Sequence, residues 1–278
     1  MAVALHKEAY PIAAVSSRSL KSAQRCGALV DCDYTGTDPA AASRQAEIVI
    51  ISTPDSAIET TCQSVVDSGG LCSGQLVLHL SGALTSDALI AARAVGADTL
   101  SLHPAQTMVE PLQGAELLKT AWFCLEGNDS AVARGKEITN EISGNTIVID
   151  KDKKSLYHAA LSFSSNYLTT LEAIAIEMLT ETGISRQNAL ALLIPLIRGS
   201  VDTLASCNLP DALTGPMSRG DVRTIEKHLH AMEDGMESYL QIYKLMGLEA
   251  LKLAKAKGKM VRGSEEMIRS LLINDAQV

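Results

Sequence analysis

Aromatic residues are scarce in this chain: one Trp, six Tyr and two Phe among 278 residues. So thin a supply argues against the stacked rings on which single-stranded nucleic acids are bound, and leaves a core to be built from Ala, Leu, Ile and Val. Basic residues are outnumbered as well, 24 Lys and Arg against 32 Asp and Glu for a net charge of −8. No broad surface for phosphate backbones or anionic lipid is expected, and nucleic acid is not an expected partner. Apolar runs such as IVIIS from Ile48 and LVLHL from Leu76 are short. They fall far below the roughly 20 residues that span a bilayer, so no membrane association is expected. The opening MAVALHKEAYP has neither the apolar stretch nor the small-residue cleavage site of a secretory leader, which makes the cytoplasm the expected location. The six cysteines, Cys26, Cys32, Cys62, Cys72, Cys124 and Cys207, form no CxxC and no Cys/His pair at zinc spacing. They read as reduced thiols, with neither a metal site nor a disulfide framework expected.

What is present divides into two halves of different period, giving an α/β chain with a parallel-sheet domain over residues 1–150 and an all-α domain over residues 151–278. In the first half, short β-rich runs begin at Pro11, Ala46, Gln75, Ala97, Ala121 and Asn145. They alternate with helical spacing over residues 19–26, 56–66, 86–95 and 130–142, the pattern of βαβ units around a parallel sheet buried on both faces. Beyond Lys151, residues 155–180 and 187–205 carry apolar residues at helical spacing. Breaks fall at Gly183, at Asn208-Leu209-Pro210, at Gly215-Pro216 and at Gly220-Asp221, where Asp221 is placed to cap a helix. Residues 258–278 read as one last amphipathic helix with a frayed end.

The front of the dinucleotide-binding pattern is missing. Such a fold begins with a strand, a Gly-rich turn and a helix whose N-terminus holds a pyrophosphate. Here residues 2–9 read as the last turns of that helix, residues 11–17 as the second strand, and no GxGxxG occurs anywhere. The first strand normally lies centrally, so strands 11–17 and 46–53 are expected to lack their shared neighbour. Three explanations stand: residues upstream that belong to the fold, a natural derivative that does not bind a dinucleotide, or a smaller sheet in which the two strands pair directly.

Several side chains can carry chemistry. Ser16, Ser17 and Arg18 end the second strand, where an acid would suit the ribose of NAD and an Arg the 2′-phosphate of NADP; a solvated strand end is the plain alternative. Thr53 and Pro54 close the next strand and also start a helix. Ser81-Gly82 and His103-Pro104 close two further strands and converge on one crevice. His103 is a candidate proton donor or acceptor, or a structural histidine, while His79 inside a strand reads as a satisfied core residue. His158, Ser162 and Asn166 recur at i, i+4 and i+8 along one helical face, as a crevice-facing stripe or as interhelical bonding. In LTGPMSRGD, Arg219 either reaches a substrate carboxylate or belongs to a capped turn.

In order along the chain, AAVSSRS, STPDSAI, HLSGAL, SLHPAQTM, YHAALSFSSNYL and LTGPMSRGD resemble the Rossmann-like proteins that carry the DUF2520 domain. The resemblance covers nearly the whole chain. It implies an N-terminal NADP-binding domain and a helical domain that forms a homodimer, related to pyrroline-5-carboxylate reductase, prephenate dehydrogenase and the 3-hydroxyacid dehydrogenases. Where the last of these place a catalytic Lys four residues before an Asn, this chain has Ser162 before Asn166. His103-Pro104 is similar to the His-Pro of prephenate dehydrogenases, whose His contacts the substrate hydroxyl. The expectation is an NADP(H)-dependent oxidoreductase acting on a small carbonyl, imine or hydroxy compound. In it Ser16, Ser17 and Arg18 hold the 2′-phosphate, Thr53, Pro54, Ser81 and Gly82 shape the nicotinamide cleft, His103 transfers a proton, and His158, Ser162, Asn166 and Arg219 orient the substrate. The alternative is a non-catalytic binding or assembly protein that has lost dinucleotide recognition.

Overall fold

The computed structural model describes residues 1–273 in two compact units, one of Met1–Leu168 and a second beginning at Thr169. The first unit runs α1 (Ala2–Lys7), β1 (Val15–Ser16), α2 (Leu20–Gly27), β2 (Thr35–Gly36), α3 (Pro39–Ser43), β3 (Ile48–Ile51), α4 (Asp55–Asp67), β4 (Leu76–His79), α5 (Ile90–Ala94), β5 (Asp98–Pro104), α6 (Pro111–Leu118), β6 (Phe123–Gly127), α7 (Asp129–Ile142), β7 (Thr146–Val148) and α8 (Lys154–Ser164). Two short 3₁₀ turns, Ser86–Leu89 and Lys151–Lys153, precede α5 and α8.

The main sheet has the order β3-β4-β5-β6-β7, and β1 pairs with β2 in a separate parallel two-stranded sheet. As expected from the missing central strand, β1 and β3 share no neighbour, and they do not pair with each other. The expected parallel order holds for β3-β4-β5 and for β6-β7, but β6 lies antiparallel to β5. The connection between them, residues 105–122, is as long as the one that makes β4 and β5 parallel, but it returns through α6 from the carboxyl end of β5. The first strand shrinks to two residues, and β2 and α3 were not anticipated; α3 is set by Asp38, whose Oδ1 accepts from the amides of Ala40 and Ala41 at 2.9 and 3.1 Å ahead of Pro39.

Alternation of side chains sends Leu76 and Leu78, Leu100 and Leu102, and Phe123 and Leu125 to one face of the sheet, where they meet Val3 and Leu5 of α1, Leu118 of α6 and Ile138 and Ile142 of α7. Val77 and Ile51 lie on the other face, against Ile58, Cys62 and Val65 of α4 and Leu89 and Ala92 around α5.

The second unit is helical: α9 (Asn166–Glu181, beginning in the first unit), α10 (Arg186–Ser206), α11 (Leu209–Ala212), α12 (Gly215–Arg219), α13 (Val222–His230), α14 (Glu237–Lys257) and α15 (Ser264–Ile273). Asp221 caps α13 as expected, accepting from the Thr224 amide at 3.1 Å. Its core is formed by Met217, Ile225, Leu229, Leu251, Ile268 and Leu272. The expected final helix is α15, and the frayed end assigned to residues 274–278 lies outside the described residues.

Candidate functional site

The face of the sheet that carries Val77 turns polar toward the carboxyl ends of β4 and β5. Pleating places His79, Thr99, Ser101, His103, Cys124 and Glu126 on it, and the register sets His79 opposite Ser101, Ser101 opposite Glu126, and His103 opposite Cys124. A polar row thus crosses three buried strands, at the end where open α/β sheets bind ligands.

Most of the row is internally satisfied. His79 is fully buried: its Nδ1 accepts from the Ser81 amide at 3.2 Å, so the Nε2 proton goes to the Thr85 carbonyl at 3.0 Å. Burial lowers its pKa, and it is the core histidine the sequence suggests. The Ser81 hydroxyl donates to Asp55 Oδ2 at 2.7 Å and accepts from the amides of Ala83 and Leu84 at 3.2 and 3.0 Å. It folds the loop after β4, leaving Gly82 as the member of that pair facing His103. Glu126 is likewise committed, accepting from the amide and hydroxyl of Ser86 at 2.6 and 2.9 Å.

His103 is placed differently. Its Nδ1 lies 2.9 Å from the Tyr157 hydroxyl on α8, and its ring meets the rings of Tyr157 and His158 edge-on, with centroids 5.8 and 6.0 Å apart. Nε2 has no hydrogen bond among the described residues and packs at Gly82. A Cβ added to Gly82 would come within 2.4 Å of His158 Cδ2 and 2.9 Å of His103 Nε2, so this position requires glycine for close approach. Burial, reinforced by Lys154 and His158, holds the His103 pKa down at about 4, which keeps the imidazole neutral at physiological pH. Burial, with the Cys124 thiol alongside, pushes the Tyr157 phenol up and keeps it protonated.

The remaining expected residues are distributed unevenly. Residues 155–180 form two helices, because α8 ends at Ser164 and Ser165 leaves helical geometry in the serine-rich SFSSN stretch. The single stripe is therefore interrupted: His158 reaches the site, the Ser162 hydroxyl donates back to the His158 carbonyl at 3.2 Å, and Asn166 is exposed at the start of α9. Arg219, exposed at the end of α12, belongs to the second unit. Ser16 and Ser17 are half-buried at the end of β1, beside an exposed Arg18 that makes no hydrogen bond or ion pair among the described residues. Pro54 is exposed, while Thr53 Oγ1 is buried without a hydrogen-bond partner. Of the groups that an NADP-type dinucleotide would need, an exposed Arg18 and the unpartnered Thr53 hydroxyl are present, whereas the described residues supply no Gly-rich turn for the pyrophosphate. No cluster of metal-ligating side chains occurs among the described residues.

Sequence reasoning missed Tyr157, Lys154 and Cys124. Lys154, Tyr157 and His158 stand at i, i+3 and i+4, so KSLYH already marks one helical face. Lys154 is fully buried, and its Nζ has no hydrogen-bond partner.

The comparisons agree with this architecture. A Rossmann-like domain model matches residues 1–104, and the model of the domain of unknown function DUF2520 matches residues 121–250. No curated protein matches the chain in sequence. Among solved structures it is similar to protein TM1727 from Thermotoga maritima, with 23% identity, a TM-score of 0.73 and coverage of 92% of this chain and 95% of that one. It is also similar to the "putative NADP oxidoreductase BF3122" from Bacteroides fragilis, with 25% identity, a TM-score of 0.71 and coverage of 90% and 92%. An imine reductase from Myxococcus stipitatus in complex with NADP+ aligns at 17% identity and a TM-score of 0.58, over 98% and 95% of the two chains.

Proposed function

We propose that this chain, which carries a Rossmann-like domain followed by the DUF2520 domain, is an NADP-dependent oxidoreductase acting on a small carbonyl, imine or hydroxy compound. The carrying observation is His103: a neutral imidazole, bonded through Nδ1 to Tyr157, with Nε2 unpaired at Gly82 and at the carboxyl end of the sheet. The similarity to BF3122 and the NADP+ complex of the Myxococcus reductase support the choice of cofactor. When bound, the nicotinamide supplies or accepts the hydride.

The residues do the rest. With the Tyr157 hydroxyl donating to Nδ1, His103 presents Nε2–H to a carbonyl oxygen or imine nitrogen; with the bond reversed, Nε2 accepts from a hydroxyl. The two tautomers serve the two directions, and burial disfavours the imidazolium in either. In reduction, the Nε2–H of His103 hydrogen-bonds the substrate oxygen or nitrogen where negative charge develops, Tyr157 stays protonated and fixes Nδ1, and water supplies the proton that completes the product. Thr53 and Gly82 line the nicotinamide side, Arg18 with Ser16 and Ser17 holds the 2′-phosphate, and His158 orients the substrate.

His103→Asn is expected to lower kcat about 10²- to 10⁴-fold, the range for removing a positioned acid or base, with NADPH affinity retained. Equal turnover by the variant would remove His103 from the reaction. A protein that binds no dinucleotide at all would support the second reading, a binding or assembly protein, which the separation of β1 from β3 favours.

The proposal includes a homodimer through the helical unit. On α10, Leu190, Leu192, Leu196, Val201 and Leu204 are about half exposed or more, and only Ala189 and Leu193 are buried. By length and composition α10 also passes for a bilayer span. A second copy is the preferred cover because Arg198 and Asp202 interrupt the apolar surface.

A further inference from the structure

Lys154 is 0% exposed, yet its ammonium touches no acceptor. Burial lowers the pKa of its amine, and the ammonium form is among the most unfavourable features a fold can carry until a partner completes it. No protein group does so among the described residues. The carboxylates whose charge bears on Lys154 are those of Glu126 on β6 and Asp55 at the head of α4, and both are committed, Glu126 to Ser86 and Asp55 to Ser81. The amine lies 5.9 Å from the centre of the Tyr157 ring, whose hydroxyl bonds His103. It therefore stands behind the reacting imidazole rather than in a separate part of the core. The other buried side-chain atom without a partner, Thr53 Oγ1, immediately precedes Pro54 and Asp55. Both unsatisfied groups thus neighbour Asp55, Thr53 in sequence and Lys154 through its charge, at the carboxyl end of the sheet.

We infer that Lys154 is a substrate-binding residue whose ammonium receives a carboxylate of the substrate, which makes the substrate a small oxo, imino or hydroxy acid. This rests on reading the crevice as the place of reaction. A carboxylate supplies the missing charge and two acceptors, is flat, and is compact enough to enter beside His103.

The test uses the full chain and an unreactive probe, oxalate, followed by calorimetry beside its neutral isostere oxamide and inorganic phosphate. Saturable oxalate binding is expected, with no oxamide binding. Lys154→Met is expected to weaken oxalate at least tenfold, the effect of losing one charge-assisted hydrogen bond, while Lys151→Met on the exposed turn leaves it unchanged. Lys154→Met is also expected to melt above the parent, because an unpaired buried amine is replaced by an apolar chain of similar length; should it fail to fold, Lys154→Gln is held to the same binding criterion. Absence of oxalate binding, equal binding by the folded variant, or tighter binding of phosphate through Lys154 would each overturn the assignment. Oxalate binding without NADPH-dependent turnover would defeat the hydride-transfer reading alone, and turnover indifferent to a carboxylate would defeat this inference alone.

Discussion

The two units hide opposite things. The first buries polar side chains, His79, Ser101, Glu126 and Lys154, beneath a sheet end, whereas the second leaves leucines of α10 in the open. The unpaired Lys154 and the open apolar helix are each costly in a finished protein, and each indicates what is missing. Buried polar groups that remain unpaired indicate a small ligand with complementary charge, and an exposed apolar helix indicates another macromolecular surface.

The sharpest way to break this contrast is to charge the exposed helix. Leu192→Asp with Leu196→Asp is expected to convert a dimer to monomers, a loss of about 10³-fold or more in association measured by sedimentation, with little change in the melting of the first unit. A monomeric parent would show that α10 is covered by something other than a second copy. On the polar side, Gly82→Ala forces a methyl group into the His103 and His158 rings. It is expected to destabilise the protein by about 1–3 kcal/mol, the range for overpacking, and to reduce turnover along with it; a neutral result in thermal melting would mean the rings have room to shift.

A pH profile sharpens the same point. The folded pKa of His103 lies at about 4 against 6.5 in an unperturbed chain, so between these values the unfolded state binds more protons. Stability is expected to be full above about pH 6.5 and to fall as the pH drops toward 4, with His79 contributing in the same direction. His103→Gln should flatten part of this slope in denaturant titrations. The smallest expected effect is Ser81→Ala, about 1–2 kcal/mol, since the variant loses the bonds to Asp55 and to the amides of Ala83 and Leu84.

Particular residues show how far sequence alone reaches. That Gly82 and His103 meet was legible because both follow apolar runs, and parallel neighbouring strands end at the same edge. The gap between β1 and β3 was legible for a similar reason, as one element of a known order was absent. Tyr157 and Lys154 were not found, although their spacing was visible, because which face of α8 turns to the sheet depends on packing. Nor was the direction of β6, because the connection leading to it is as long as the one leading to the parallel β5 and only its path differs. The stripe of His158, Ser162 and Asn166 is read from the sequence as one helix, whereas the break at Ser165 leaves His158 and Ser162 on α8 and Asn166 on α9.

The most direct test of the central claim is a titration of the full chain with NADPH, followed by the NMR signal of His103 Cε1–H, beside a titration with NADH. The account predicts a saturable shift of that signal, with NADPH preferred and the preference lost in Arg18→Ala. A His103 signal that does not move at any NADPH concentration would contradict it.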